Sequence, residues 1–313
     1  MTNAWPIRRT RPVGLTLGMA IPAFVNNAAY HFGSVDVYAD GAIEAGLGFL
    51  DRPLFRKKVA SGWIATAPPP GSRISIFNLG WATVAGGTWP LTVDDVVSHV
   101  DDTIRRLNPP GTDLFDLQGS DRELRVKGRP HALVTSDKKP CIPGNPLLIG
   151  EHVPIFRCRE DSFVLENWFV FEDGSSRIGT TEDRQDLEAT MARLSSKELT
   201  TSVPDGALIR LGDLGSFRVG AGHWFVDPVE RRREVLDLLR QARGLDSSIT
   251  VCLAAFTAFK RESTEANRER LRTAYEAVPE HLRAYCGDMD SRDWPIRAAL
   301  YGDDDEKRGP VPK

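Results

Sequence analysis

A chain of 313 residues, 41% hydrophobic and 27% charged, holds enough apolar material for real cores and too many residues for one small domain, which excludes global disorder. A net charge of −3 gives no footing for a nucleic-acid surface, and no apolar run approaches the roughly 20 residues of a membrane-spanning helix. The four cysteines, Cys141, Cys158, Cys252 and Cys286, form no CxxC pair, so reduced thiols in a cytoplasmic protein are expected.

The chain opens with an arginine cluster (Arg8, Arg9, Arg11) and then a mildly apolar run, the outline of an export signal. Its "IPAFV" (21–25), however, is the first strand of a unit that recurs later, and cleavage would remove it. The arginines therefore read as a surface arm on a protein that stays inside the cell.

The recurrence is the main feature of the sequence. "IPAFVNNAAYHFGSVDVYADGAIEA" (21–45) lies over "VPIFRCREDSFVLENWFVFEDGSSRI" (153–178), matching Pro22 with Pro154, Phe24 with Phe156 and Tyr38 with Phe171. Asp40-Gly41 falls on Asp173-Gly174, an offset of 133 residues. "PPPGSRISIFNLGWATVAGGTW" (68–89) then lies over "VPDGALIRLGDLGSFRVGAGHW" (203–224) at an offset of 135, matching Gly71 with Gly206, Leu79-Gly80 with Leu214-Gly215 and Trp89 with Trp224. Leu54 and Leu187 anchor the stretch between. Matches that keep order and spacing point to a tandem duplication.

Each copy reads the same way. Asp-Gly between alternating apolar residues signals a tight hairpin, because glycine accepts positive φ. "PPPG" and "VPDG" are turns, and "RISIF" and "LIRLG" alternate with the period of a half-buried strand. "RPLFRKKVASG" and "RQDLEATMARLSS" have helical spacing, and an amphipathic helix closes each copy (92–107 and 228–242). The first of these carries a Thr92-x-x-Asp95 cap, with Val96, Val100 and Ile104 on one face.

Residues 108–150 read as a Pro- and Gly-rich connector with strands at "RELRVKG" and "HALVT". Behind copy two come helices over 247–263, with serine as N-cap, and over 264–278. Pro279 ends the second and opens a short third, and another helix follows within 287–302. The predicted fold is α+β: two tandem antiparallel-sheet-plus-helix modules with a C-terminal helical extension. The boundaries are 1–110 (strands from about residue 20), 111–145 (connector), 146–245, 246–302 and a polar tail at 303–313. Packing of the modules about a pseudo-twofold axis would place a cleft at their junction.

"LRTAYEAVPEHLRAYCGDMDSRDWPIRAALYG" (271–302), preceded by a strand unit like copy two, resembles a group of uncharacterised bacterial proteins with phrases of this kind. The resemblance covers roughly residues 150–302, and the first copy more weakly through the repeat. It implies that the extension belongs to the unit. It supplies neither an activity nor a catalytic residue.

Asp288, Asp290 and Asp293, with His281 and Arg297 nearby, could hold Mg²⁺ through carboxylate oxygens or supply an acid–base pair. The competing reading makes Asp290 or Ser291 a helix cap and Asp293 a first-turn acid. Cys141, His152 and Cys158 are zinc-capable but show three ligands at loose spacing. Cys286 beside the acidic loop, with His281 as its base, would be a nucleophile. Trp63 and Trp81 have no tryptophan partner in copy two, where Leu199 or a neighbour and Ser216 stand, so they could wall a ligand pocket; Trp89 and Trp224 read as core plugs. No P-loop, GxSxG elbow or HExxH is present.

Scaffold residues thus dominate, and the expectation is a cytoplasmic bacterial protein-binding scaffold of immunity or accessory type. Its partner would be another protein, with neither nucleic acid nor membrane involved. The alternatives are a metal-assisted enzyme at the acidic loop, with magnesium, and a small-ligand binder using Trp63 and Trp81.

Overall fold

The computed structural model describes residues 4–11, 14–45, 48–112, 114–119, 137–142, 145–287 and 290–302. The first copy runs β2 (Gly14–Asn27), β3 (Ala29–Tyr38), β4 (Ile43–Ala45), β5 (Phe49–Leu50), α1 (Arg52–Ala60), β6 (Ile64–Ala65), β7 (Arg73–Ile76), β8 (Gly80–Thr88) and α2 (Val93–Leu107), preceded by β1 (Trp5–Arg11). After β9 (Asp137–Ile142) the succession returns as β10 (Asn145–Cys158), β11 (Phe163–Phe171), β12 (Ser175–Ile178), β13 (Gln185–Asp186) and α3 (Leu187–Ser195). It ends with β14 (Leu199–Thr200), β15 (Leu208–Arg210), β16 (Ser216–Phe225) and α4 (Pro228–Ala242). The extension holds α5 (Ser248–Arg261), α6 (Glu265–Ala277), a short 3₁₀ helix (Glu280–Tyr285) and α7 (Trp294–Tyr301). The strands expected at 122–128 and 131–135 lie outside the described residues.

The copies fold alike, pairing by pairing. β3 pairs β2 and β4 antiparallel and β7 parallel, and β11 pairs β10, β12 and β15 in the same senses. Both Asp-Gly hairpins form as predicted. Gly41 and Gly174 sit at φ of 76° and 84°, and Asp40 and Asp173 accept the backbone N–H of Ala42 at 3.2 Å and of Ser175 at 2.9 Å. Gly18 and Gly150 are also matched: each lies opposite an aromatic, Tyr38 and Phe171, whose ring covers the space a Cβ would take.

The two modules do not, however, form two sheets. β8 pairs β16, β1 joins β2 to β9, and β9 passes on to β10, so one ten-strand sheet closes on itself as a barrel. Closure removes the edges that two open modules would expose. Val84 faces Val219, its own counterpart, on the pseudo-twofold axis between the halves. The junction is thus a hydrogen-bonded seam where a cleft was expected. Inside the ring, side chains of both halves share one core that includes Phe24, Val84, Phe156 and Val219. Outside it, α1 and α2 cover one half around Val96, Val100 and Ile104, while α3 and α4 cover the other around Met191 and Val235.

Closure also overturns the surface arm. Strands begin at Trp5 rather than near residue 20, and β1 is a barrel strand with neighbours on both sides. Arg9 is 1% exposed, pairs with Asp40 and lies 4.0 Å from the centre of the Tyr38 ring. The anchor assumed between Leu54 and Leu187 is displaced as well. The N-caps Asp51 and Asp186, and the contacts of β6 and β14 with Phe24 and Phe156, put the local offset at 135, so Trp63 corresponds to Glu198.

At the seam, Gly80 and Gly215 take φ of 145° and 131°, and an added Cβ would lie 2.0 Å from the carbonyl oxygen of Trp224 and 2.2 Å from that of Thr88. Gly80→Ala or Gly215→Ala is expected to destabilise the fold by at least about 3 kcal/mol, since both strain and backbone overlap must be relieved. Gly33→Ala in β3, where a Cβ meets nothing within 4 Å, is the control, expected to stay within about 1 kcal/mol of the parent in urea denaturation.

The helices end where their capping residues predict. Thr92 and Asp95 form the full capping box of α2, and Ser247 and Thr264 cap α5 and α6. The extension packs its own core, including Cys252, Leu271, Tyr275 and Ile296, and hangs from α4. Asp237 of α4 accepts the backbone N–H and hydroxyl of Ser248 at 2.8 and 3.0 Å, and Glu230 accepts the N–H of Glu280 at 2.6 Å. No helix among the described residues is long and apolar enough to cross a membrane.

Candidate functional site

The turn between β7 and β8 presents Phe77 and Asn78. Asn78 adopts φ of 58°, a left-handed conformation that asparagine tolerates well. The turn lands on α4 of the other copy. Asn78 donates its side-chain amide to Glu234 at 3.2 Å and accepts Arg231 at its carbonyl. Arg231 and Glu234 pair with each other at 0% and 1% exposure, and His281 Nε2 lies 2.9 Å from the same carboxylate. Burial lowers the pKa of Arg231, and the Glu234 carboxylate opposes that shift. One buried network thereby fixes the barrel turn, α4 and the extension.

Between these three elements lies a groove of about 410 Å³, in the range of ligand-sized cavities. Phe77, Trp81, Trp224 and Tyr285 supply its aromatic walls, and Arg73, His281 and Arg292 are the charged or titratable residues among its described lining. Phe77 and Tyr285 meet edge to face at 6.5 Å while remaining 67% and 52% exposed. Trp81 stands across the strand pair from Trp224, and the Arg73 guanidinium lies 4.1 Å from the centre of the Trp81 ring. A smaller cavity of about 300 Å³ with Glu230 and Glu280 in its wall shares Trp224 and His281 with the groove.

Trp224 is not the core plug its alignment with Trp89 suggested. Phe225 takes that part: it meets Phe156 at 5.4 Å and 88°, as Trp89 meets Phe24 at 5.4 Å and 89°. Register breaks in the β8–β16 pairing shift the spatial match by one residue, which turns Trp224 to the other face at 38% exposure. Among the described residues the groove has no twin. Its counterparts of Arg73, Phe77 and Trp81 are Leu208, Gly212 and Ser216, and the helical extension follows α4 rather than α2.

Of the residues singled out from sequence, Trp81 and His281 meet in the groove. Trp63 packs instead against the first outer core beneath Lys58, so the two tryptophans share no pocket. Asp293 accepts the Tyr275 hydroxyl at 2.5 Å, and burial together with this carboxylate raises the pKa of that phenol. Asp293 makes no side-chain cap to α7, which follows it. Asp290 is exposed in the preceding turn, Asp288 lies outside the described residues, and Arg297 is on α7, away from the groove wall. Among the described residues no group of three or more His, Cys, Asp and Glu could hold a metal ion.

His152 and Cys158 stand six residues apart along β10, roughly 20 Å at strand rise, and His152 is occupied by the rings of Trp5 and Phe169. Cys286 is buried against Cys252. That hydrogen bond and burial raise its thiol pKa, the reverse of an activated nucleophile.

Sequence reading missed Arg73, Phe77, Trp224, Tyr285 and Arg292. Phe77 carried a usable signal: a large apolar residue at a turn, where the strand pattern calls for a polar one.

The comparisons with known proteins follow the same division. A family model described as a domain of unknown function (DUF7638) matches residues 15–110 and again 147–245, and a second, also a domain of unknown function (DUF7639), matches 247–312. No curated protein and no solved structure matches the chain. The chain therefore belongs to the DUF7638 family, with two copies of that domain joined through β1 and β9 in one barrel and the DUF7639 segment following them.

Proposed function

We propose that this chain is a binding protein, of immunity or accessory type in a bacterial cytoplasm, that engages a partner protein at the aromatic groove. The observation that carries the reading is the broken symmetry. A duplicated barrel has two equivalent places for a site, and only one combines Phe77, Trp81 and Trp224 with a wall from the extension. Half-exposed aromatics flanked by arginines have the composition of protein-binding hot spots, and a patch held open by a buried network is preorganised to bind. The cavity volume also supports a second reading, a small aromatic ligand stacked on Trp81.

The test compares capture from a lysate of the producing cell by the parent chain and by Phe77→Ser/Tyr285→Ser, a variant of exposed residues expected to keep the parent melting temperature. The expected result is one protein that the parent retains and the variant loses by about tenfold, confirmed with purified components. Identical capture by both chains overturns the reading. A metabolite that raises the melting temperature of the parent but not of Trp81→Ala favours the second.

A further inference from the structure

We infer that the groove selects an acidic segment of its partner, an aromatic or large apolar side chain followed closely by a carboxylate. This rests on the reading of the groove as a protein-binding site and adds the chemistry of what enters it. Arg73 and Arg292 both line the groove, and neither has a carboxylate partner among the described residues. No Asp or Glu is among the described lining residues, although acids make up much of this chain's charge. On α4 beside the groove, by contrast, Arg231 is paired with Glu234 and Arg233 with Glu230.

Arg73 is also held in place. Its guanidinium lies 4.1 Å from the centre of the Trp81 ring, a cation–π contact that holds it at the groove wall. Arg292 approaches from the opposite wall, on the loop between the 3₁₀ helix and α7, at φ of 49°. Two arginines without a carboxylate partner among the described residues, lining a groove with four aromatic rings, complement an anion attached to an apolar group. Carboxylate fits them by bidentate hydrogen bonding.

The experiment pans a displayed library of random heptapeptides against the full chain and against Arg73→Ala/Arg292→Ala. A selected peptide is then measured as the acid and with its Asp and Glu changed to Asn and Gln. The expected result is enrichment of Asp and Glu beside an aromatic residue by the parent chain only. The amide form should bind at least about tenfold more weakly, and affinity should fall with added salt. Selected peptides without acidic enrichment, equal binding of acid and amide forms, or full binding by the double variant overturn the inference, as does a library that yields nothing. Neutral aromatic peptides lost with Phe77→Ser/Tyr285→Ser would overturn the acidic chemistry while leaving the groove as the docking site.

Discussion

Removing residues 1–11 is expected to abolish cooperative folding. β1 is hydrogen-bonded to β2 from Trp5–Ala20 to Arg11–Gly14 and to β9 from Ile7–Pro140 to Thr10–Asp137, so its loss opens the ring and bares two strand edges. It also removes Trp5, packed on His152 at 5.4 Å and Phe169 at 6.1 Å, and Ile7, both buried. Truncations of buried side chains of these sizes cost about 3–5 and about 2–5 kcal/mol, comparable with the whole stability of an ordinary domain, about 5–15 kcal/mol. Asp40 would further lose the guanidinium of Arg9. Circular dichroism melts and gel filtration of the chain restarted at Pro12 check this: the expected product is aggregated or lacks a sharp transition. A sharp melt within a few degrees of the full chain would restore the first eleven residues to the status of an arm.

Why that strand was misread shows where the sequence is legible. Local signals were sufficient for local structure. Asp-Gly fixed both hairpins, Thr92 and Asp95 fixed the start of α2, and the periodicity of residues 228–242 matched α4 to its ends. Closure is not local. Arg9 looks like solvent-facing charge because its partner Asp40 is 31 residues away and the rings beneath it belong to β3 and β5. The duplication was visible because matched glycines and aromatics serve the backbone at equivalent turns. Alternation in a strand does not say which strand lies beside it, so two open sheets and one closed ring share the same pattern. Trp224 marks the sharpest limit: one residue of slip in β16 exchanges its face with that of Phe225 and moves an aromatic from core to groove.

The candidate site was half legible for a related reason. Trp81 stood out because it lacks a tryptophan counterpart, a divergence between copies that a single sequence carries, and His281 because it lies near the acidic stretch in sequence. Phe77 and Tyr285 come from stretches about 200 residues apart and acquire meaning only when the extension folds back on the first copy. That return is governed by α4. At the positions where α2 buries Val96 and places His99, α4 has Arg231 and Glu234, which read as an exposed i, i+3 pair on a solvated helix face. Their burial is the structural difference between a copy that ends at its helix and one that continues.

Glu234→Ala is therefore expected to be among the most damaging single substitutions outside the barrel core. The Glu234 carboxylate accepts Arg231, His281 at 2.9 Å and Asn78 at 3.2 Å, and each loses its partner at once. Arg231, with no exposed surface, would keep the Asn78 carbonyl and no counter-charge. Breaking a buried pair from one side costs about 3–5 kcal/mol, whereas replacing both partners with apolar side chains is often neutral. Arg231→Met/Glu234→Leu should then recover most of the loss, and urea denaturation of both singles and the double gives the coupling directly. A second readout separates this hub from a generic core defect. With Glu234 gone, His281 and the 3₁₀ helix lose a tether to the barrel, so limited proteolysis should cut near residues 280–287 before the barrel unfolds. If Glu234→Ala loses less than about 1 kcal/mol, or the first cuts fall in the barrel, the network does not hold the groove wall in place.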